Sequence, residues 1–198
     1  MPFITFEAGL NGQRKAYSFG QQGRPVLVTR EPGGTKLGNE IRAMVLGDNE
    51  RNVSPMAEML LIAAARAQHV SEVLQPGLAE GKLILCDRYI DSSLVYQGVA
   101  LGVGLDLVAN INNMVVDGLW PDLTILLDVP PEVAYERSIL MRRQADRIES
   151  RGLAYYRQVC AGYRLIAQKW PERIKVVDAN RPVATVHRDI RRVVSSIL

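Results

Sequence analysis

Apolar residues in this chain alternate between two patterns. Near-continuous short runs at 2–6, 25–29, 82–86, 123–129 and 174–178 have the length and composition of strands buried on both faces. The segments between them repeat their apolar residues at helical spacing. Strand and helix in regular alternation predict a parallel sheet of five strands covered by helices on both faces. Leu37, Ile41, Met44 and Val45 mark one helical stripe. Ser54-Pro55 reads as the cap and first position of a long helix reaching Leu74, which Pro76 ends or bends. After Pro182, Val183, Val186, Ile190, Val193, Val194 and Ile197 form an apolar face, with Arg188, Arg191 and Arg192 opposite as a solvated one.

A chain of 198 residues, 47% hydrophobic, is long enough to bury a substantial core in one domain. It shows no internal repeat, low-complexity tract or long linker, so a single domain over 1–198 is expected. The net charge is +3, carried mainly by arginines scattered without a dense basic run, which argues against nucleic acid as partner. Arginine outnumbers lysine, and a guanidinium fork grips phosphate through two parallel hydrogen bonds. That bias favours small phosphorylated ligands. Cys86 lies in an apolar strand and Cys160 in a helical pattern, without CxxC spacing, so both read as free thiols in a reducing cytoplasm. No apolar stretch approaches the roughly 20 residues of a membrane helix. The amino terminus enters the first strand pattern directly, so a soluble protein without membrane contact is expected.

Chemistry gathers at strand ends, where open parallel sheets bind ligands. The strand 83–86 delivers Asp87, Arg88, Ser92 and Ser93 to one edge, a set suited to phosphate and magnesium. Thr29-Arg30-Glu31-Pro32-Gly33-Gly34-Thr35 follows an earlier strand, and the segment 121–129 supplies a later one. Directly after the first strand, residues 7–16 occupy the place of a phosphate loop of form GxxxxGK[ST]. Gly9 and Lys15 have the right separation, but Arg14 replaces the glycine before the lysine and Ala16 the hydroxyl after it. A side chain at the glycine position enters the anion's space or strains the turn, and alanine cannot ligate magnesium. An ordinary strand-to-helix turn with a solvated lysine is the alternative reading.

With these residues in hand, the chain resembles the bacterial thymidylate kinases from Met1 to about Leu198. The likeness is carried by TREPGGT at 29–35, DRYIDSSLVYQG at 87–98, PDLTILLDV at 121–129 and Asp146-Arg147-Ile148-Glu149. It implies a three-layer α/β fold of the P-loop nucleoside-monophosphate-kinase type, with a lid region at about 137–150. It implies ATP and dTMP as substrates, Mg2+ as cofactor, and a homodimer formed through the helix 55–74. By resemblance, Arg88 holds the dTMP phosphate and Asp87 organises magnesium through water. Arg66 contacts the thymidylate, Ser92, Ser93 and Gln97 fall where the base is read, Tyr96 packs on the sugar, and Arg30 begins a loop framing the monophosphate. Arg137 packs against adenine, Arg142 and Arg143 bring lid charge over the ATP phosphates, and Gly9, Gly12, Arg14 and Lys15 belong to the donor loop.

Plainer readings stand beside these: a structural ion pair for Asp87 and Arg88, a solvated helix face for Arg137, Arg142, Arg143 and Arg147, and core for Tyr96. The chain also departs from the family pattern E-G-x-[DE]-G-x-G-K-[ST], with an extra residue and with Asn11 in place of the second acid. Ile62 stands where the family has an aromatic on thymine, giving less dispersion contact over a base.

The reaction expected is Mg-ATP-dependent phosphorylation of dTMP to dTDP. Lys15, Asp87, Arg88, Arg142 and Arg143 supply its electrostatics, and neither His69 nor His187 is needed as a base. The altered loop supports an alternative, a nucleotide-binding homologue with impaired phosphoryl transfer. Ile62 alone favours a third, a kinase for another deoxynucleoside monophosphate.

Overall fold

The computed structural model describes residues 2–7, 25–47, 52–141 and 151–198. The five expected strands are present as β1 (Phe3–Glu7), β2 (Val26–Arg30), β3 (Leu83–Asp87), β4 (Leu123–Asp128) and β5 (Ile174–Asp178). All pairings are parallel, in the order β2-β3-β1-β4-β5. β1 is therefore central, flanked by β3 and β4, and its carboxyl end opens at the middle of the sheet.

Alternate residues of the strands feed two cores, as a pleat with a period of two requires. Phe3 and Ile84 pack with Met59, Leu74, Tyr89, Val108 and Tyr163 on one face. Ile4, Phe6, Leu83 and Leu85 pack with Val186, Ile190 and Val194 on the other. Those last three lie on α7 (Val183–Ser195), while Val183 itself, placed on the apolar face by the sequence pattern, is 72% exposed.

Helix α1 (Lys36–Leu46) starts at Thr35, whose hydroxyl oxygen accepts from the Gly38 N–H at 2.9 Å. Its stripe is half as wide as the spacing suggests: Ile41 and Val45 are buried, Leu37 and Met44 exposed. Helix α2 (Pro55–His69) is capped by Ser54, whose oxygen accepts from the Ala57 N–H at 3.3 Å. Pro76 does not end the helical winding. The winding widens to a π-helical stretch over Val70–Leu74, with the Gln75 N–H bonded to the Val70 carbonyl, and α-helix resumes over Gln75–Ala79. Widening the turn before a proline accommodates a ring that clashes with the carbonyl four residues back and carries no N–H.

After β3 come α3 (Ile90–Ser93), continued as a π-helical stretch Leu94–Ala100, and α4 (Leu105–Val116). α5 (Pro131–Met141) follows β4, and α6 (Gly152–Lys169) precedes β5. Beneath the sheet's end, Asp91 is fully buried and paired at 2.6 Å through each oxygen with Arg173. Thr124 donates to the same carboxylate at 2.8 Å and meets the Thr5 hydroxyl at 2.8 Å. The charge is compensated and hydrogen-bonded, the condition for a carboxylate in a core.

Candidate active site

At the carboxyl ends of β1 and β3 the chain turns sharply. Arg88 adopts φ +66°, a left-handed conformation costing roughly 1–2 kcal/mol for a residue with a side chain. The turn is pinned by the Arg88 N–H to the Phe6 carbonyl at 3.0 Å and by the Cys86 thiol to the Arg88 carbonyl at 3.1 Å. It aims the guanidinium over the Tyr96 ring, Cζ to centroid 5.1 Å, with Nη1 donating to the Ser92 oxygen at 3.2 Å. Burial opposes the Arg88 charge, yet Tyr96, Tyr163, Glu7 and Asp87 around it more than offset this and push its pKa above the usual arginine range.

Glu7, last residue of β1, is 1% exposed. Its Oε1 accepts from the Tyr89 N–H at 2.9 Å, and its Oε2 from the Tyr163 hydroxyl at 3.0 Å and from Ser92. Burial, reinforced by the negative charge of Asp91, pushes the Glu7 carboxyl up to about 7, against the hydrogen bonds and the Arg88 charge. Burial, and then Glu7, likewise drive the Tyr163 phenol far above its ordinary range.

Arg66, on α2, is nearly fully buried. Nε donates to Glu31 Oε2 at 2.7 Å, Nη1 to Ser93 at 2.9 Å and to Asn112, and Nη2 to the Tyr89 carbonyl at 3.0 Å. A guanidinium has five N–H groups, so one N–H on Nη2 remains beyond those four bonds. Glu31 is braced from its other oxygen by His69 Nδ1 at 2.8 Å, and His69 Nε2 meets the Thr29 hydroxyl at 2.7 Å. His69 is thus a buried structural group.

These side chains surround a cavity of about 260 Å3. Glu31, Arg42, Ile62 and Arg66 line it. Arg88, Ser92, Ser93, Tyr96 and Gln97 line it as well, as do Arg137, Tyr155 and Tyr163. The rings of Tyr155 and Tyr163 stand edge-on to Tyr96, centroids 6.3 and 6.2 Å away. Arg137 Nη1 donates to the Ala179 carbonyl at 3.3 Å, tying α5 to the loop after β5.

Of the acceptor-side residues singled out in the sequence, Arg66, Arg88, Ser92, Ser93, Tyr96 and Gln97 come together here, with Ile62 and Arg137. Arg30 does not. The strand pleat turns Thr29 inward and leaves Arg30 exposed, outside the cavity lining. Asp87 is half-buried beside the cavity, and its carboxylate receives no hydrogen bond from the described residues. No group of three or more His, Cys, Asp or Glu side chains suited to a metal occurs among those residues. Gly9, Gly12, Arg14, Lys15, Arg142 and Arg143 lie outside the described residues, as do Asn11, Ala16 and Arg147. Both cysteines are free.

Several participants escape a reading of the sequence. Tyr163 sits on the apolar stripe of α6 with Val159 and Ile166, and so reads as core. Glu31 is legible in retrospect as an acid at the carboxyl end of a strand, and Arg42 reads as helix surface although it lines the cavity and donates to the Pro32 carbonyl at 3.0 Å.

A model of the thymidylate kinase family matches residues 14–190. A thymidylate kinase of Symbiobacterium thermophilum is 45% identical over 203 residues, covering 99% of this chain and 94% of that protein. One of Pelotomaculum thermopropionicum is 42% identical over 203 residues, with the same coverage of 99% and 94%. One of Nitratidesulfovibrio vulgaris is 40% identical over 209 residues, covering 99% and 97%. A parallel sheet with an arginine-lined cavity at its central carboxyl edge, and relatedness along nearly the whole chain, make this protein a member of the thymidylate kinase family.

Proposed function

We propose that this chain transfers the terminal phosphoryl group of ATP to dTMP, producing dTDP and ADP. The observation that carries the reading is the convergence of Arg88, Arg66, Tyr96 and Gln97 on one cavity at the end of β3. Arg88 is assigned to the dTMP phosphate, its charge maintained and its direction fixed by the left-handed turn. The remaining Arg66 N–H and the Gln97 carboxamide read the base, Ile62 covers the base face, and Tyr96 packs on the sugar. Ser92 and Ser93 act through what they hold: Ser92 joins Arg88 to Glu7, and Ser93 braces Arg66.

An oxygen of the acceptor phosphate attacks the γ-phosphorus while the bond from that phosphorus to the β-γ bridging oxygen breaks, and ADP carries the electron pair away. The acceptor is already anionic, so no side chain need remove a proton. The protein's work is to align two phosphates and offset their charge. Arg88 does this from the acceptor side. Arg137 is assigned to the adenine, and Lys15, Arg142 and Arg143, with Gly9, Gly12 and Arg14, to the donor phosphates.

The half-buried Asp87 carboxylate, with no hydrogen bond from its described neighbours, suits a hard cation that keeps most of its water and binds through one carboxylate plus phosphates. Asp87 is assigned to hold Mg2+ through water, and the ion when bound would offset the charge of the phosphates. Free cysteines are in keeping with a cytoplasmic protein.

The test is ADP release with Mg-ATP, with and without dTMP, on protein of verified intact mass. Turnover that requires dTMP is expected. Replacing Arg88 by Ala is expected to lower kcat/KM for dTMP by about a hundredfold, the scale of losing a charge-assisted phosphate contact. Absence of dTMP-dependent turnover, or an Arg88→Ala protein with unaltered dTMP affinity, would refute the assignment; the former would point to a nucleotide-binding homologue without transfer.

A further inference from the structure

Two contacts hold the Arg88 guanidinium: Nη1 donates to the Ser92 oxygen at 3.2 Å, and Cζ lies 5.1 Å from the centroid of the Tyr96 ring. Among the described residues, Ser92 is the one hydrogen-bond acceptor this guanidinium has. Both contacts are backed by the same residue. Tyr163, on α6, is 3% exposed and comes to Ser92 across 71 residues of sequence. Its hydroxyl lies 3.0 Å from the Ser92 oxygen, and its ring stands edge-on to Tyr96 at an interplanar angle of 78°. The same hydroxyl donates to Glu7 Oε2 at 3.0 Å, the oxygen that also accepts from Ser92.

These three oxygens form a closed triangle, and its protons have an order. A serine hydroxyl carries one proton, and the Ser92 oxygen accepts from Arg88 only while that proton points elsewhere. Glu7 Oε2 and the Tyr163 oxygen are where it can go. The Tyr163 phenol keeps its own proton, because burial holds it far above its ordinary range. Given to Glu7, that proton fixes the carboxylate oxygen that Ser92 reaches. Given to Ser92, it fixes the serine oxygen directly. In both arrangements a lone pair of Ser92 is left for Arg88.

We propose that Tyr163 is a positioning residue for the acceptor phosphate: its hydroxyl acts through Ser92, with Glu7 as shared acceptor, and its ring through Tyr96, to fix the guanidinium of Arg88. This rests on the cavity being the dTMP site with Arg88 at the phosphate. Tyr163 thereby serves one part of the acceptor and not the rest. Thymidine has the same base and sugar without the phosphate, so its binding does not draw on Arg88 or on the groups that hold it.

Equilibrium binding of dTMP and of thymidine to the full chain, with ADP-release kinetics alongside, tests it. Wild type is expected to bind dTMP more tightly than thymidine. Tyr163→Phe removes the hydroxyl and keeps the ring; it should weaken dTMP binding about fivefold, within the worth of one net hydrogen bond, and leave thymidine binding unchanged. KM for dTMP should rise by the same factor, with KM for ATP unaltered. Ser92→Ala should weaken dTMP binding on the same scale, and adding Tyr163→Phe to it should cost less than about twofold more, because the route to Arg88 is already cut. Equal losses of dTMP and thymidine in Tyr163→Phe overturn the proposal, since they mark a residue that shapes the wall or touches the nucleoside. Full additivity with Ser92→Ala also overturns it. A wild type that turns over dTMP, beside a Tyr163→Phe protein of unchanged dTMP affinity, overturns it while the kinase reading stands. Should wild type bind dTMP without turnover, the kinase reading falls and the same binding comparison decides the role of Tyr163. A wild type that binds dTMP no more tightly than thymidine, or binds neither, overturns the proposal, for no phosphate contact is then there to position.

Discussion

Arg88 and Glu7 are opposite solutions to placing charge at a buried strand end. Arg88 accepts backbone strain so that its guanidinium reaches the cavity while remaining charged. Glu7 stays within β1 and is driven toward its neutral form, with a pKa near 7 against an ordinary value of 4.5. That shift makes folding pH-dependent with a definite sign. Between about 4.5 and 7 the folded carboxyl holds a proton that the unfolded chain releases, so Glu7 costs the fold increasing stability as pH rises. Relative to Glu7→Gln, wild type should lose stability from pH 4.5 to 7, by on the order of 3 kcal/mol at most, and then level off. Unfolding temperatures of the two proteins at pH 5 and pH 8 check this, and parallel curves would contradict the burial argument. At this scale the sequence was informative wherever a site residue follows its strand directly. Arg88, Ser92, Tyr96 and Gln97 lie in one run after β3, and the pleat and the turn deliver them together. Tyr163 gave no such signal, because a residue spaced like core on a helix looks alike whether its polar atom meets solvent or a buried carboxylate.

Among the elements, helix types deviate most from the expected pattern, and one of the two π-helical stretches carries the cavity residues Tyr96 and Gln97. Periodicity located α2 and its Ser54 cap but could not reveal π-helical winding, since five residues of wider turn leave the apolar spacing nearly intact. The loop from β2 to α1 contributes in another way. Gly34 has φ +83°, and a Cβ there would stand 2.6 Å from His69 Cδ2, 2.8 Å from its Nε2 and 3.0 Å from Thr29 Oγ1. Gly34→Ala therefore meets both a left-handed backbone and a buried ring that cannot retreat without releasing Glu31. A loss of about 3 kcal/mol in urea unfolding is expected from strain and clash together, with a raised KM for dTMP as Glu31 loosens its hold on Arg66. An alanine variant with unchanged stability and KM would show that this loop does not support the site.

For the molecule as a whole, the strand alternation was enough to give the parallel sheet, although strand order depends on pairings that no local pattern contains. Among the described residues, exposed apolar side chains recur on two adjoining helices. Met56 and Leu60 on α2 are 42% and 50% exposed, and Leu107 and Met114 on the adjoining α4 are 43% and 80% exposed. We assign this face to a second copy of the chain. Light scattering should give twice the 22.0 kDa chain mass, and Leu60→Glu should halve it; a single-chain mass for wild type would refute the assignment.

The Glu7 carboxylate accepts from Tyr163 across 156 positions, and Asp91 depends on Arg173 across 82. Protein synthesis runs from the amino end, at about 5–20 residues per second. Both carboxylates thus emerge from the ribosome seconds before the groups that satisfy them, and the acceptor cavity closes only once α6 has docked. A nascent chain halted before that helix holds β1, β3 and the Arg88 turn, yet lacks the wall that makes them a nucleotide site.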